Sequence, residues 1–366
     1  YEPRAVSVAA WMQCEYLTES RVSHIFSRIG RSIPSAQTVS TETLYNRIPD
    51  ALSGEYLGVD LTRLTPDLLN ACAASESIAL HMMTRLHQVQ GLDFKKRVHL
   101  YRYFLAYWVE FLDRTGISVV YFDRDPHEVL DYILYIAARA QGLKTLALVD
   151  YFQESAYVLA DQFEWPWHVL NEPLVEGSDD AVRSDEFVEQ HITRIRSSYD
   201  EAEPLYMESN RRLAQRSKPG ALRRQVRRLV RRIRSTPVDR AWRQSEIEHK
   251  SYVQKATNPS FDQPYIYFLL HYQPELTTSP RGGLFVDQYL AVALLQRHLP
   301  DGWLILIKEH PNQTLDGPFY GYLGRDEGYF ARLLNLPAVR FVKENSDHFR
   351  LMDSAAGVAS ITGTGS

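Results

Sequence analysis

The chain has 366 residues, of which 45% are hydrophobic and 23% charged, with a formal net charge of −4. That length suits about two domains, and that much apolar chain rules out disorder over the whole length. Only Cys14 and Cys72 occur, which argues against a disulfide framework or a cysteine zinc site and fits a reducing compartment. No apolar run reaches the ~18 residues of a membrane span, and no basic-then-apolar leader opens the chain, which starts at Tyr1 rather than Met.

In chain order, the first half alternates strands and helices. Residues 5–12 form a short apolar, β-branched run, and residues 18–29 follow with helical spacing. Two long helices are expected over 66–90 and 94–115. The second carries Tyr101, Tyr103, Phe104, Tyr107, Trp108 and Phe111, rings that bury large areas and point to core packing rather than a ligand cage. A strand over 117–122, a helix reaching Ala140 and closed by Gly142, and a strand over 144–149 make a βαβ unit and imply a parallel sheet. Asp125, Pro126 and Glu128 fit the N-cap, N1 and N3 positions of that helix. Capping leaves Asp123 and His127 without a role; at the end of a strand they suit a general base or a holder of an acceptor hydroxyl.

From residue 178 to about 234 the chain reads as helical and highly charged. Between Arg211 and Val238 lie ten arginines and one lysine without a single acid, leaving 30 basic residues against 45 acidic in the remainder. Leu222, Val226, Leu229, Val230 and Ile233 form one helical stripe flanked by paired arginines over Arg223–Arg234. Such a helix docks on an anionic membrane surface, or packs by its stripe on an acidic protein body. Nucleic acid is disfavoured, because stacking aromatics are absent from the cassette. The proline-bearing stretch 235–264 reads as a boundary between an N-terminal domain over 1–250 and a C-terminal domain over 251–366.

The second domain alternates strands (265–272, 303–308, 339–342, 357–362) with helices (285–299, 327–334, 347–354), the pattern of a Rossmann-like half. It stops at Gly363-Thr364-Gly365-Ser366, where another helix is due, so the series reads as cut short. Parallel sheets bind ligands beyond the carboxyl ends of their strands, and three such ends are polar. The first holds His271, Gln273, Glu275, Thr277 and Thr278, which suit a sugar or ribose or, equally, a proline turn. The second, Lys308-Glu309-His310-Pro311, sets a cation and an imidazole where a phosphate would rest. The third runs from Ser360 through Thr362, Gly363, Thr364, Gly365 and Ser366; small residues there let backbone N–H groups approach a phosphate, or make a plain turn.

The runs HYQPELTTSPRGGLFVDQYLAVALLQRHLPDGWLILIKEHPNQ and VRFVKENSDHFRLMDSAAGVASITGTGS resemble the capsule-polysaccharide biosynthesis family of bacterial glycosyltransferases, which includes Kdo transferases. The likeness covers residues 265–366 well and the first domain loosely, through FDRDPHEVLDYILYIAARAQGLKTL. It implies an α/β GT-B fold: two Rossmann-like parallel-sheet domains facing a cleft, here with a helical insert in the first and a truncated second. It also implies a cytoplasmic, membrane-peripheral enzyme that transfers a sugar from a nucleotide-sugar, such as CMP-Kdo, to a glycan or glycolipid acceptor. No metal or other cofactor is needed. Lys308 and His310 match the family's His-Pro motif, which contacts the nucleotide phosphate, and Thr362–Ser366 matches the start of its donor-phosphate loop. Gln273 joins this donor set, and Asp123, His127 or Glu275 would handle the acceptor proton or the anomeric carbon. Two other readings of the same plan are a non-catalytic polysaccharide assembly or export factor and a sugar-nucleotide epimerase.

Overall fold

The structure is a computed structural model, and it describes residues 24–27, 37–40, 46, 48–53, 58–85, 93–122, 125–150, 157–162, 189–190, 192–193, 237–275, 278–314 and 324–362. Asp123, the basic cassette 211–234, Thr277 and Gly363–Ser366 lie outside the described residues. The chain divides into two compact units, Tyr1–Pro166 and Trp167–Ser366.

In the first unit, β1 (His24–Ser27) pairs in parallel with β2 (Gln37–Ser40). The helix expected over 18–29 is therefore a strand where it is described. Val22, Ile25, Phe26 and Ile29 have helical spacing, but a four-residue pairing partner thirteen residues on overrides it. Helices α1 (Ile48–Ser53) and α2 (Pro66–Met82) follow, α2 capped by the Thr65 hydroxyl and ending in a 3₁₀ turn over Met83–Arg85. Helix α3 (Phe94–Thr115) begins where Asp93 accepts the Lys96 N–H at 2.9 Å. It ends at Gly116, whose φ of 63° is a left-handed conformation that glycine adopts without strain.

The expected βαβ unit is present: β3 (Val119–Phe122) and β4 (Lys144–Asp150) are parallel neighbours joined through α4 (Val129–Ala140). Helix α4 is buried almost all round, packed against α2 and α3. Tyr101, Tyr103, Phe104, Trp108 and Phe111 are core residues, as their bulk demands. Two expectations are corrected here. Helix α4 starts at Val129 with Glu128 as its N-cap residue, so Asp125 is no cap; it is buried four residues upstream. The sheet is also mixed, because β5 (Tyr157–Ala160) pairs antiparallel with β4. Six residues separate those strands, too few for a crossover helix.

In the second unit, helix α5 (Pro237–Lys255) occupies much of the stretch that reads from sequence as a boundary. Pro237 stands at its first residue, where the missing N–H has no helical partner to lose, and Tyr252 is buried in the core. Strands β6 (Tyr265–Leu269), β7 (Leu304–Lys308), β8 (Val339–Phe341) and β9 (Gly357–Ala359) are all parallel, in the order β8-β7-β6-β9. Each central strand is apolar on both faces, as a sheet covered on both sides requires. Phe268, Ile305, Ile307 and Phe341 pack on one face with α5, α6 (Gln288–Arg297) and α7 (Tyr329–Leu334). Tyr265, Tyr267 and Leu306 pack on the other with α8 (His348–Asp353). By sequence rank the order is 3-2-1-4, that of the first strands of a doubly wound nucleotide fold.

Candidate functional site at the strand ends

In that strand order the connections change direction between β6 and β9, and the crevice for a ligand opens beyond their carboxyl ends. Two glutamines shape the β6 end. The Gln288 carboxamide accepts the His271 N–H at 2.8 Å and donates to the His271 carbonyl at 3.1 Å. Gln313 does the same for Gln273, at 3.0 and 2.9 Å. Each amide completes the bonds that a further strand would have made, so backbone that leaves the sheet stays satisfied.

Behind these residues lies an ion pair. Arg325 donates to both oxygens of Glu309, at 2.9 and 2.7 Å, and both side chains are almost completely buried. Burial alone would lower the Arg325 pKa; the adjacent Glu309 charge more than offsets it, and the guanidinium stays protonated. The third nitrogen, Nη1, reaches the Gln273 carboxamide oxygen at 2.7 Å, and Nη2 also meets the His271 carbonyl at 3.0 Å. Gly324 lets this happen: a Cβ there would lie 2.2 Å from the Gln273 carbonyl oxygen.

Two histidines meet backbone N–H groups at these strand ends. Ile361 and Thr362 direct backbone N–H groups at His271 Nε2, at 3.2 and 3.5 Å, and the Ser360 hydroxyl, which donates to the Thr362 carbonyl at 2.9 Å, lies 3.0 Å from the same nitrogen. These contacts tie the end of β6 to the end of β9. The Asn312 N–H points at His310 Nδ1 at 3.1 Å, so His310 carries its hydrogen on Nε2. Burial, then the Arg325 charge, pushes His271 down to about 4. Burial, Arg325 and His271 push His310 down to about 3, and the Tyr272 ring lies 5.8 Å from the His310 ring. Both imidazoles are neutral at pH 7.

The residues expected from the sequence thus fall into three groups. His271, Gln273, His310 and Thr362 come together at the strand ends. Gln273 is engaged there by the protein itself, its amide donating to the Val286 carbonyl at 2.6 Å while its oxygen receives Arg325. Lys308 stands apart from His310. It shares the strand face of Leu304 and Leu306, and its ammonium donates to the Ser346 carbonyl at 2.7 Å, just ahead of α8. Burial lowers its pKa, opposed by Asp347 and Glu344. Glu275 is half-buried, and its carbonyl accepts from Thr278 and Ser279 in the following turn. In the first unit, His127 Nδ1 donates to the Asp125 carbonyl at 2.9 Å, and its Nε2 lies 4.0 Å from Glu128.

Sequence reasoning missed Arg325, Gln288 and Gln313, and gave Glu309 no role. Glu309 was accessible in principle, since it shares its parity with the buried Ile305 and Ile307. Arg325 follows a long connection and has no local signal except the glycine before it. The first unit also carries two neighbouring surface cavities of about 260 and 320 Å³, lined among the described residues by Leu52, Phe94, Lys95, Lys96, His99 and Arg102, and by no acid. Among the described residues no helix is long and apolar enough to cross a membrane, and no group of side chains is arranged to hold a metal ion. Family models, curated proteins and solved structures give no match to this chain.

Proposed function

We propose that the protein is a glycosyltransferase of the GT-B plan acting in capsule or related surface-polysaccharide assembly, with the nucleotide-sugar donor bound at the β6/β9 strand ends of the second unit. The observation that carries this reading is the junction of His271 with Ile361 and Thr362, beside the His310 N–H, at the switch point of a 3-2-1-4 parallel sheet. When the bond between the anomeric carbon and the phosphate oxygen breaks, the phosphate takes up negative charge. A neutral Nε2–H of His310, half-buried and already oriented, donates to that oxygen without reorganising. Lys308 takes no direct part in this step, because its ammonium is held at Ser346.

The acceptor hydroxyl attacks the anomeric carbon and loses its proton to a base. The sequence offers Asp123, His127 and Glu275 for that role. The lysines and Arg102 along the first-unit cavities suit an acidic glycan or a phosphate-bearing lipid-linked acceptor. The test is turnover of a panel of nucleotide-sugars, read as free nucleotide and as glycosylated product. His310→Ala lowers turnover at least tenfold, or ~1.4 kcal/mol of transition-state stabilisation. A folded protein that neither binds nor turns over any donor in the panel contradicts the reading. Free epimerised sugar-nucleotide as the only product would replace it with the epimerase alternative.

A further inference from the structure

Arg325 makes five hydrogen bonds, one for each N–H it has: two to Glu309, and one each to the His271 carbonyl, the Gln273 oxygen and the Gly324 carbonyl. It lies over the Tyr329 ring, 4.9 Å from the centroid, and is 4% exposed. No donor is left over for a ligand. Glu309 in turn accepts the His310 N–H at 2.7 Å through the oxygen that also meets Arg325. A continuous path therefore runs from the His271 carbonyl through the guanidinium and the carboxylate to the His310 backbone.

We propose that Arg325 is a positioning residue, which with Glu309 fixes the His271 and His310 backbones relative to one another and holds the His310 imidazole in a single tautomer. The strand-end site then grips its ligand with a preset N–H donor instead of a mobile cation. This rests on the donor-site reading only for the identity of the ligand; the arrangement of the histidines stands independently. A lysine at 325 would keep the charge but has three donors on one point, which cannot serve four separate groups. An ion pair with a merely stabilising role would leave the His310 tautomer and the ligand affinity of a folded variant unchanged.

The groups that face His310 are Arg325, Glu309, His271 and the Tyr272 ring; those that face His271 are Arg325 and the Ser360 hydroxyl. The experiment combines ring ¹⁵N spectra over a pH titration with calorimetric binding of cytidine and uridine monophosphate. It compares the wild type with Arg325→Lys and with the double variant Glu309→Gln/Arg325→Met, which leaves no lone buried charge. In the wild type, His310 shows the Nε2–H signature. In Arg325→Lys, His310 becomes a mixture of tautomers and nucleotide affinity falls at least tenfold. In the double variant, the protonation midpoint of His310 rises by at least one pH unit. Folded variants, judged by circular dichroism, with wild-type spectra and affinity overturn the proposal. So does a wild-type His310 ring in the other tautomer, a result that holds even where the variants fail to fold. If neither nucleotide binds the wild type, the donor reading fails while the spectra still decide the role of Arg325.

Discussion

His271 and His310 make the most specific statements about this protein. Both have folded pKa values far below the 6.5 of an unfolded histidine, about 4 and about 3. Below pH 6.5 the unfolded chain therefore binds more protons than the folded one, and stability falls as pH falls. The loss is on the order of 1 kcal/mol per pH unit for each ring, between 6.5 and about 4, discounted for their partial exposure. His249 works the other way, since its bond to Glu344 raises its pKa and its contribution is lost as pH rises above 6.5. Urea unfolding of the wild type and of His271→Gln from pH 7 to 4.5 checks this; the variant should show the shallower acid slope. Gly324 gives a steric counterpart. Alanine there would push a methyl against the Gln273 carbonyl carbon and oxygen, at 2.7 and 2.2 Å, and neither backbone atom can swing aside. Gly324→Ala should cost about 1–3 kcal/mol in chemical denaturation and lower nucleotide affinity through the displaced loop. His127→Ala, by contrast, should leave stability within about 0.5 kcal/mol and reduce transfer to the acceptor while nucleotide binding persists.

Among the elements, α5 shows how a charged helix is tied to the second unit. Glu248 accepts the Gly328 N–H at 2.7 Å and the Phe330 N–H at 3.4 Å, capping the start of α7, while Gln244 bonds the same carboxylate. The Tyr252 hydroxyl donates to the Val342 carbonyl and accepts the Glu309 N–H, bridging the ends of β8 and β7. Glu248→Ala should lower the midpoint of thermal unfolding, with a cost of about 1–2 kcal/mol from the lost cap and the N–H groups left buried. The strands and helices of the second unit were legible in the sequence because apolar runs buried on both faces are bounded by proline and glycine, as at Pro300 and Gly302. Helix α3 was legible to the residue, with Asp93 before it and Gly116 after it. The start of α4 and the nature of β1 were not. Capping chemistry at Asp125 and helical spacing near Ile25 are local signals, and burial and strand pairing overrode them. At the site, the polar strand ends were legible as positions. The partners that each side chain takes were not, because Arg325, Gln313 and Ser346 arrive from distant parts of the chain.

For the molecule as a whole, the described structure comprises two α/β units, one with a mixed sheet and one with a parallel sheet in nucleotide-fold order. The parallel sheet brings its chemistry to one edge by topology: β6, β7 and β9 all point their carboxyl ends the same way, so residues 90 apart in sequence, His271 and Ile361, meet. The polar ends of those strands are held from behind by the Arg325–Glu309 ion pair. Titration of the isotope-labelled protein with cytidine and uridine monophosphate, followed by ring and backbone NMR, reads that arrangement site by site. Saturable shifts centred on His310, His271, Ile361 and Thr362, with Lys308 and Ser346 little affected, are expected. No saturable response, or shifts centred on another part of the protein, would contradict nucleotide binding at the β6/β9 switch point.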